Sequence, residues 1–313
     1  MSEARAIAID CDPGHDDAVA LLLALAAPER LDIRAVTTVA GNVPLDRTER
    51  NARAIVELAR RDDVAVYAGC ERPWRRALVT AEHIVGATGL DGADLPPPTR
   101  PLAQGHAVDA LAELLRQAPA RSVTLCPLGP LTNIGALFSR GPEIVARVRE
   151  VVLMGGAIGI GNVTASAEFN IFADPHAASS VFAAGAPIVM VPLEATHQAI
   201  ATPQRVRAFE RLGTPVGRAI AGMLGRDSGR DLTRYGGSGV PLHDPCVIGY
   251  LLWPELFAGF AAHVAIETES ELTMGRTVVD RWRSARPADN ATVIDRLDAE
   301  TLFSRMTATL ARL

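Results

Sequence analysis

Lysine is absent from this sequence of 313 residues, and all 31 of its basic residues are arginines. This absence excludes three kinds of chemistry that require a lysine side chain. They are phosphate binding by a P-loop lysine, Schiff-base catalysis, and the kinase reaction that uses a strand lysine.

Cysteine is also scarce, and no two cysteines form a Cys-x-x-Cys pair. The four cysteines are Cys11, Cys70, Cys126 and Cys246. Such wide spacing favours small buried side chains in a reducing compartment over a disulfide framework. The longest apolar run, 18–27, is far shorter than the ~20 residues that a membrane-spanning helix needs. Because Asp10 interrupts the first apolar stretch, the start does not resemble a signal peptide. We therefore expect a cytoplasmic protein without a membrane partner.

A basic surface is absent as well, since the formal net charge is −5. This balance gives no reason to expect nucleic acid or an anionic membrane as a partner. Hydrophobic residues make up 48% of the chain and charged residues 21%, which is enough to form a full core. We expect one domain over residues 1–313.

Strand and helix patterns alternate along most of the chain and predict an α/β fold. Continuous apolar strands separated by helices are typical of an open, doubly wound, mainly parallel sheet with helices on both faces. After Pro203 the pattern predicts extra carboxy-terminal helices, of which 204–212 and 216–224 lie on the surface. Two antiparallel edge strands are expected at 263–269 and 277–281, and a closing helix at 297–313.

The most informative segment is Asp10-Cys11-Asp12-Pro13-Gly14-His15-Asp16-Asp17, which lies between an apolar strand and an apolar helix. Burying unpaired carboxylates costs several kcal/mol each, by a rough estimate. A divalent cation would remove this cost, and oxygen ligands without thiolates favour Ca²⁺ or Mg²⁺ over Zn²⁺. The alternative is that Asp16 and Asp17 cap the following helix. Capping explains one or two acids but not four.

A second polar cluster covers residues 161–170 and supplies Asn162, Glu168 and Asn170. Asparagine and glutamate side chains offer directional acceptors, and asparagine also offers donors, so together they suit a polyhydroxylated neutral ligand. The alternative is that the asparagines satisfy the backbone of a turn.

A third cluster is His243-Asp244-Pro245. Asp244 would complete the cation site from a distant part of the chain, and His243 would then face the same pocket. A histidine there is suited to donate a proton to a leaving group, although a loop histidine with a structural partner is the alternative. In the glycine-rich loop 225–240, Tyr235 is a candidate to stack on a ring at the pocket mouth.

The sequence resembles the nucleoside hydrolases, specifically the inosine–uridine-preferring nucleoside N-ribohydrolases. The resemblance covers nearly the whole chain and includes six motif blocks in the family's order. The blocks are Asp10–Ala18, Gly41-Asn42, Gly129–Asn133, Met154–Gly156, Ala167–Asn170 and His243–Pro245. The resemblance implies hydrolysis of the N-glycosidic bond of ribonucleosides to ribose and free base. It also implies a homo-oligomer, either a dimer or a tetramer.

The resemblance further implies a bound Ca²⁺ ion. Its ligands would be the side chains of Asp12, Asp17 and Asp244 and the carbonyl oxygen of Leu128. Asp10 would support this group from behind, and Asp12 would also act as the general base for the attacking water.

The same resemblance assigns the sugar contacts. The lower ribose hydroxyls would bind to Asp16, Asn42, Asn170 and, through the ion, Asp244. Asn162 and Glu168 would hold the 5′-hydroxyl, Met154 would line the ribose pocket, and His243 would act as the leaving-group acid.

One position departs from the family pattern. Many pyrimidine-leaning members carry a histidine before glycine in a His-Gly-x-x-Gly-Leu block, whereas this chain has Val85 there and His83 two residues earlier. The sequence therefore makes no prediction of base preference. Two rival interpretations remain open. One is a nucleoside-binding protein without turnover, and the other is a haloacid-dehalogenase-like phosphatase with Asp10 as nucleophile.

Overall fold

The fold is built on a nine-stranded central sheet. A computed structural model of the chain describes residues 4–225, 239–283 and 288–313. The strands are β1 Arg5–Cys11, β2 Leu31–Thr38, β3 Val66–Ala68, β4 Val123–Pro127, β5 Val148–Met154, β6 Ile188–Val191, β7 Ile200–Ala201, β8 Val240–Pro241, β9 Phe257–Ile266, β10 Thr277–Asp280 and β11 Ala291–Leu297. The short strands β7 and β8 form a separate antiparallel pair.

The helices connect these strands. They are α1 His15–Leu25, α2 Leu45–Leu58, α3 Glu82–Val85, α4 Ala107–Gln117, α5 Thr132–Phe138, α6 Pro142–Val145, α7 Phe169–Ala173, α8 Pro175–Ala183, α9 Leu193–Thr196, α10 Pro203–Glu210, α11 Pro215–Gly225, α12 Pro245–Leu252 and α13 Ala299–Leu310. None of the helices in the described ranges is long and apolar enough to cross a membrane.

The strand order in the sheet is β10-β9-β11-β6-β5-β4-β1-β2-β3. Pairing is parallel from β3 to β11, whereas β9 pairs antiparallel with β11 and with β10. The predicted mainly parallel sheet and its antiparallel edge are thus confirmed, although β9 begins at Phe257 and ends at Ile266 and so covers only the first part of the expected strand 263–269. The order reverses between β1 and β4, which is where open α/β sheets bind their ligands.

Helices cover both faces of the sheet because the strands are apolar on both sides. Ile7 and Ile9 of β1 belong to one core cluster. Ala8, which points to the opposite face, belongs to the other. This alternation follows from the two-residue period of a strand. On the first face α1 packs against α2, α11 and α12, while α4, α5 and α8 lie on the second.

The carboxy-terminal part differs in detail from the prediction. Strand β11 was not predicted; it ends at Leu297, the first residue of the expected closing helix, and the helix itself begins at Ala299. Its inner residues Ala291, Val293 and Ile294 are buried between β6 and β9. The prediction that 216–224 is a surface helix is incomplete, because Val216 and Ile220 are buried in the core. Most of the expected loop 225–240, including Tyr235, lies outside the described residues.

Helix α1 is expected to contribute strongly to stability, because Leu22 is fully buried. We predict that Leu22→Ala lowers the free energy of unfolding by about 2–5 kcal/mol through lost burial and a residual cavity. Leu272→Ala is a matched control, since Leu272 is 86% exposed, and its effect should stay within about 0.5 kcal/mol. Denaturant titration measures both values. Equal effects of the two substitutions would contradict the packing of α1.

Candidate active site

A cavity of about 690 Å³ lies at the carboxyl ends of the parallel strands. It brings together residues from eight separate segments of the chain. The cavity is lined by nine of the metal, ribose and catalytic candidates that the sequence suggested. They are Asp16, Asn42, Leu128, Met154, Asn162, Glu168, Asn170, His243 and Asp244. Asp10, Asp12 and Asp17 lie beneath this surface and are at most 1% exposed. Tyr235 lies outside the described residues.

Three carboxylates lie close together at the base of the cavity, two of them in its lining and that of Asp17 beneath it. Asp16, Asp17 and Asp244 each offer a carboxylate oxygen, and these atoms lie within 4.8 Å of one another. Asp16 and Asp17 occupy the first turn of α1, whereas Asp244 immediately precedes α12. Asp17 also accepts a hydrogen bond from the Gly14 backbone N–H at 3.1 Å. Asp17 therefore caps the helix, as the alternative interpretation proposed, and in addition belongs to the acidic group.

Asp12 is held directly behind this group. Its carboxylate accepts the backbone N–H of Asn42 at 2.6 Å, and its own N–H donates to Asp17 Oδ1 at 3.1 Å. The Asp12 carboxylate lies between the backbones of Gly41 and Gly129. A Cβ at either glycine would come within 2.1 or 2.3 Å of an Asp12 oxygen. These two glycines therefore allow the β2 and β4 loops to close around Asp12.

No arginine lines the described part of the cavity, although His15 lies beside Asp16 and partly offsets the rise in its pKa that burial causes. Burial and, second, repulsion from the nearby Asp16 raise the pKa of Asp17 to about 7. Burial and repulsion from Asp17 also raise the pKa of Asp12 well above its usual range. For Asp244 burial is again the main cause, followed by repulsion from Asp16 and Asp17. A cation bound in this group would offset both the cost of burying the charged carboxylates and their mutual repulsion. A set of oxygen donors suits a hard divalent ion.

Asp10 is buried one layer deeper. Its Oδ1 accepts hydrogen bonds from Thr37 Oγ1 at 2.6 Å and Asn133 Nδ2 at 2.7 Å, whereas Oδ2 has no partner among the described residues. Burial raises its pKa to about 7. Asn133 also donates to the Thr38 carbonyl at 3.0 Å and accepts the Cys70 N–H at 2.8 Å. Asn133 therefore joins β1, β2 and the loop after β3 under the site, a role that the sequence did not assign.

Two asparagines connect the acidic floor to the cavity wall. Asn42 Nδ2 donates to the Asp12 carbonyl at 3.2 Å and to Asp17 Oδ2 at 3.1 Å. Asn170 Nδ2 donates to the Leu128 carbonyl at 2.6 Å and to the Met154 carbonyl at 3.2 Å. A carbonyl oxygen has two lone pairs, so the bond from Asn170 leaves one of them on Leu128 for another partner.

Glu168 and Asn162 fix the loop that follows β5. The Glu168 carboxylate accepts the N–H groups of Asn170 at 2.8 Å and Gly156 at 2.9 Å, and it thereby caps α7. Burial raises its pKa to about 7. Asn162 Oδ1 accepts the Phe169 N–H at 2.9 Å. The turn-stabilising alternative therefore describes real contacts of both residues, and both also line the cavity.

His243 lies on the cavity wall with a defined partner for one ring nitrogen. Its Nδ1 is 2.8 Å from the hydroxyl oxygen of Thr196, a residue that the sequence did not single out. The His197 ring lies beside it, with 5.7 Å between the ring centroids. Burial lowers the pKa of His243 to about 4, so its imidazole is neutral near pH 7.

Another part of the cavity wall contains Val85, the residue that departs from the family pattern. Val85 is 6% exposed, and its Cγ1 is 3.1 Å from the position that a Cβ on Gly14 would occupy. Val85 therefore lies over the acidic loop. His83 and Ile84 on the same short helix also line the cavity, together with Met223 at the end of α11. Glu82 and Asp91 line this part of the wall too, so it combines apolar and polar side chains.

Comparison with known proteins identifies the family. The family model described as inosine-uridine preferring nucleoside hydrolase matches residues 7–304. The pyrimidine-specific ribonucleoside hydrolase RihA of Shewanella sp. strain ANA-3 is 45% identical, over 98% of this chain and 96% of its own length. RihA of Klebsiella pneumoniae is 41% identical, over 97% and 98%. An uncharacterized protein of Schizosaccharomyces pombe is 44% identical, over 98% and 99%.

Solved structures agree with this result. A purine-preferring ribonucleoside hydrolase from Gardnerella vaginalis superposes with a TM-score of 0.91 at 29% identity, covering 98% of each chain. The plant nucleoside hydrolase PpNRh1 superposes with a TM-score of 0.90 at 29% identity, over 98% of this chain and 99% of its own. The chain is therefore a ribonucleoside hydrolase that belongs to the inosine–uridine-preferring nucleoside hydrolase family.

Proposed function

We propose that this hydrolase depends on Ca²⁺ and cleaves the N-glycosidic bond with a water molecule activated by Asp12. The observation that supports the proposal is the close group of the Asp16, Asp17 and Asp244 carboxylates at the β1–β4 switch point, with Asp12 bonded to Asp17 and no arginine in the described cavity lining. Asp12, Asp17, Asp244 and the Leu128 carbonyl would hold the ion. When bound, Ca²⁺ supplies positive charge that offsets the carboxylate repulsion and attracts the sugar hydroxyls and water.

The division of labour between Asp12 and Asp16 follows from their depth. Asp16 lines the cavity, whereas Asp12 and Asp17 lie beneath it. We therefore propose that Asp16 binds a ribose hydroxyl. Its carboxylate oxygen nevertheless lies close to the carboxylate oxygens of Asp17 and Asp244. Asp12 has one carboxylate oxygen fixed by the Asn42 N–H, which aims the group and leaves the other oxygen able to accept a proton from water.

The reaction itself is a balanced hydrolysis. The bond from C1′ to the base nitrogen breaks, the base takes the bonding electrons, and the sugar acquires oxocarbenium character. Water adds to C1′ and loses a proton to Asp12, and the base gains one proton overall. Asn42 and Asn170 would bind the lower hydroxyls with Asp16, and Asn162 and Glu168 would hold the 5′-hydroxyl. Contacts that fix the ribose lower the barrier when they strengthen in the transition state.

The neutral ring of His243 would donate a hydrogen bond to the departing base. Such a donor stabilises the negative charge that develops on the base as the glycosidic bond lengthens. The ring lines the same cavity as the ribose residues, and its backbone N–H is bonded to Asp16, so it is fixed relative to the sugar site.

Further features of the protein remain proposals. We propose that it acts in the cytoplasm as a single 1–313 domain and as a homo-oligomer. The phosphatase interpretation loses its support, because the family match covers residues 7–304. A nucleoside-binding protein without turnover would bind ribosyl ligands and release no base, and Val85 is the feature that favours it.

Asp12→Asn is expected to keep the fold and to lower kcat by at least about a hundredfold, because the amide cannot accept the proton from water. Ribose release from inosine and uridine measures the loss, and the thermal unfolding midpoint checks the fold. Asp94→Asn is a matched control, since Asp94 is exposed and does not line the cavity. Near-normal turnover of Asp12→Asn would overturn the assigned role of this residue.

Removal of the metal ion should lower both activity and stability. An ion present at ~100 times its dissociation constant stabilises the native state by about 2.7 kcal/mol, and chelation removes this contribution. Thermal unfolding with and without chelator, combined with elemental analysis, measures the effect, and Ca²⁺ should restore both properties better than Mg²⁺ or Zn²⁺. An unchanged unfolding curve after verified metal removal would contradict the proposed cation site.

Base preference is expected to depend on Val85. A panel of inosine, adenosine, guanosine, uridine and cytidine gives the preference of the natural protein. Val85→His should raise kcat/KM for uridine relative to inosine by about tenfold, because it adds a proton donor near the base. Val163→His is the matched control, since Val163 lines the same cavity. An equal change in both variants would show that Val85 has no special position.

A further inference from the structure

The contact between Thr196 and His243 determines which ring nitrogen of His243 carries the proton. Thr196 is the last residue of α9, fully buried, and its Oγ1 lies 2.8 Å from His243 Nδ1. A threonine hydroxyl has one hydrogen to donate, and a neutral imidazole has one donor nitrogen and one acceptor nitrogen. Two arrangements of the protons are therefore possible.

In the first arrangement the hydroxyl donates to Nδ1, and the imidazole proton lies on Nε2. In the second, Nδ1 donates to the hydroxyl oxygen, and the hydroxyl hydrogen must find another acceptor. Among the described residues, the carbonyl of Leu193 is the other acceptor in contact with Thr196 Oγ1, at 3.5 Å. Effective bonds from a hydroxyl to an oxygen are about 2.5–3.0 Å long, so this contact is too long to compete. The distances therefore favour the first arrangement.

We propose that Thr196 is a positioning residue that holds His243 in the tautomer with the proton on Nε2. This inference rests on the proposed role of His243 beside the leaving base. With the proton on Nε2, the ring presents a donor at the nitrogen opposite the Thr196 contact. With the other tautomer, Nε2 would present a lone pair to the developing negative charge and would oppose bond cleavage.

The surrounding structure fixes Thr196 in place. The N–H of Thr196 donates to the Pro192 carbonyl at 3.1 Å, and that of the next residue, His197, donates to Leu193 at 2.8 Å. Helix α9 directly follows β6, so the hydroxyl is attached to the central sheet. On the other side, the Asp16 carboxylate accepts the backbone N–H of His243. The imidazole is thus fixed between the sheet and the acidic floor.

The test uses Thr196→Val, which keeps the side-chain shape and removes the hydroxyl, and Thr196→Ser, which restores it. For a nucleoside substrate, kcat should fall about tenfold to a hundredfold in the valine variant, within the range that a positioned proton donor contributes. KM should change less than about twofold, because the ribose contacts remain, and the serine variant should recover most of the rate. Thr309→Val is the control, since Thr309 is a buried threonine outside the cavity lining.

A second substrate separates positioning from general damage to the site. The nitrophenolate of 4-nitrophenyl ribofuranoside leaves readily without a donor, so Thr196→Val should hydrolyse this compound at nearly the natural rate. Equal losses for the nucleoside and the nitrophenyl riboside would overturn the proposal, as would an unchanged rate for the nucleoside. If the natural protein hydrolysed neither substrate, the proposed function would fail instead.

A spectroscopic measurement tests the tautomer without reference to turnover. In a neutral imidazole the protonated and unprotonated nitrogens have separate nitrogen-15 resonances. The chain has seven histidines, and His243→Gln identifies the signals of His243. We expect the proton on Nε2 in the natural protein and in Thr196→Ser, and a mixture of tautomers in Thr196→Val. A proton on Nδ1 in the natural protein would overturn the proposal.

Discussion

Repulsion among buried carboxylates is the constraint on which the rest of this structure depends. Asp12, Asp17 and Asp244 are at most 3% exposed, yet the described cavity lining contains no arginine to pair with them. Burying such charges without compensation would cost more than a typical domain can tolerate. Backbone N–H groups of Asn42, Asp12 and Gly14 bond to the carboxylates of Asp12 and Asp17 without neutralising their charge. The remaining charge is what makes the site suitable for a divalent cation.

The central sheet explains why these acids meet. The strand order reverses between β1 and β4, so the loops after the two strands diverge and leave a crevice above Asp12. The small residues Gly41 and Gly129 let both loops approach its carboxylate. Asn133 anchors the floor from below by bridging β1 and β2. The wall that includes Val85 covers another part of the same cavity. The acidic group and the Val85 wall thus occupy different parts of one cavity.

Much of this arrangement was predictable from sequence, because its signals are local. The acidic segment follows an apolar strand, and the amides of 161–170 follow another, so the parallel-sheet rule places them at one edge. Asn133 and Thr196 were missed because their roles depend on partners 123 and 47 residues away, Asp10 and His243. Strand β11 was missed because its burial is decided by β6 and β9, which distant parts of the chain supply.

The position of Asp244 has a consequence for how the protein matures. The acidic group joins the first turn of α1 to a residue that lies 227 positions after Asp17 (244 minus 17). During synthesis, the amino-terminal part of the chain emerges long before Asp244 does. Until Asp244 docks against α1, the acidic group lacks one of its three carboxylates. The acidic group is thus complete only once the chain has been synthesised as far as α12, and its assembly joins α1 to α12.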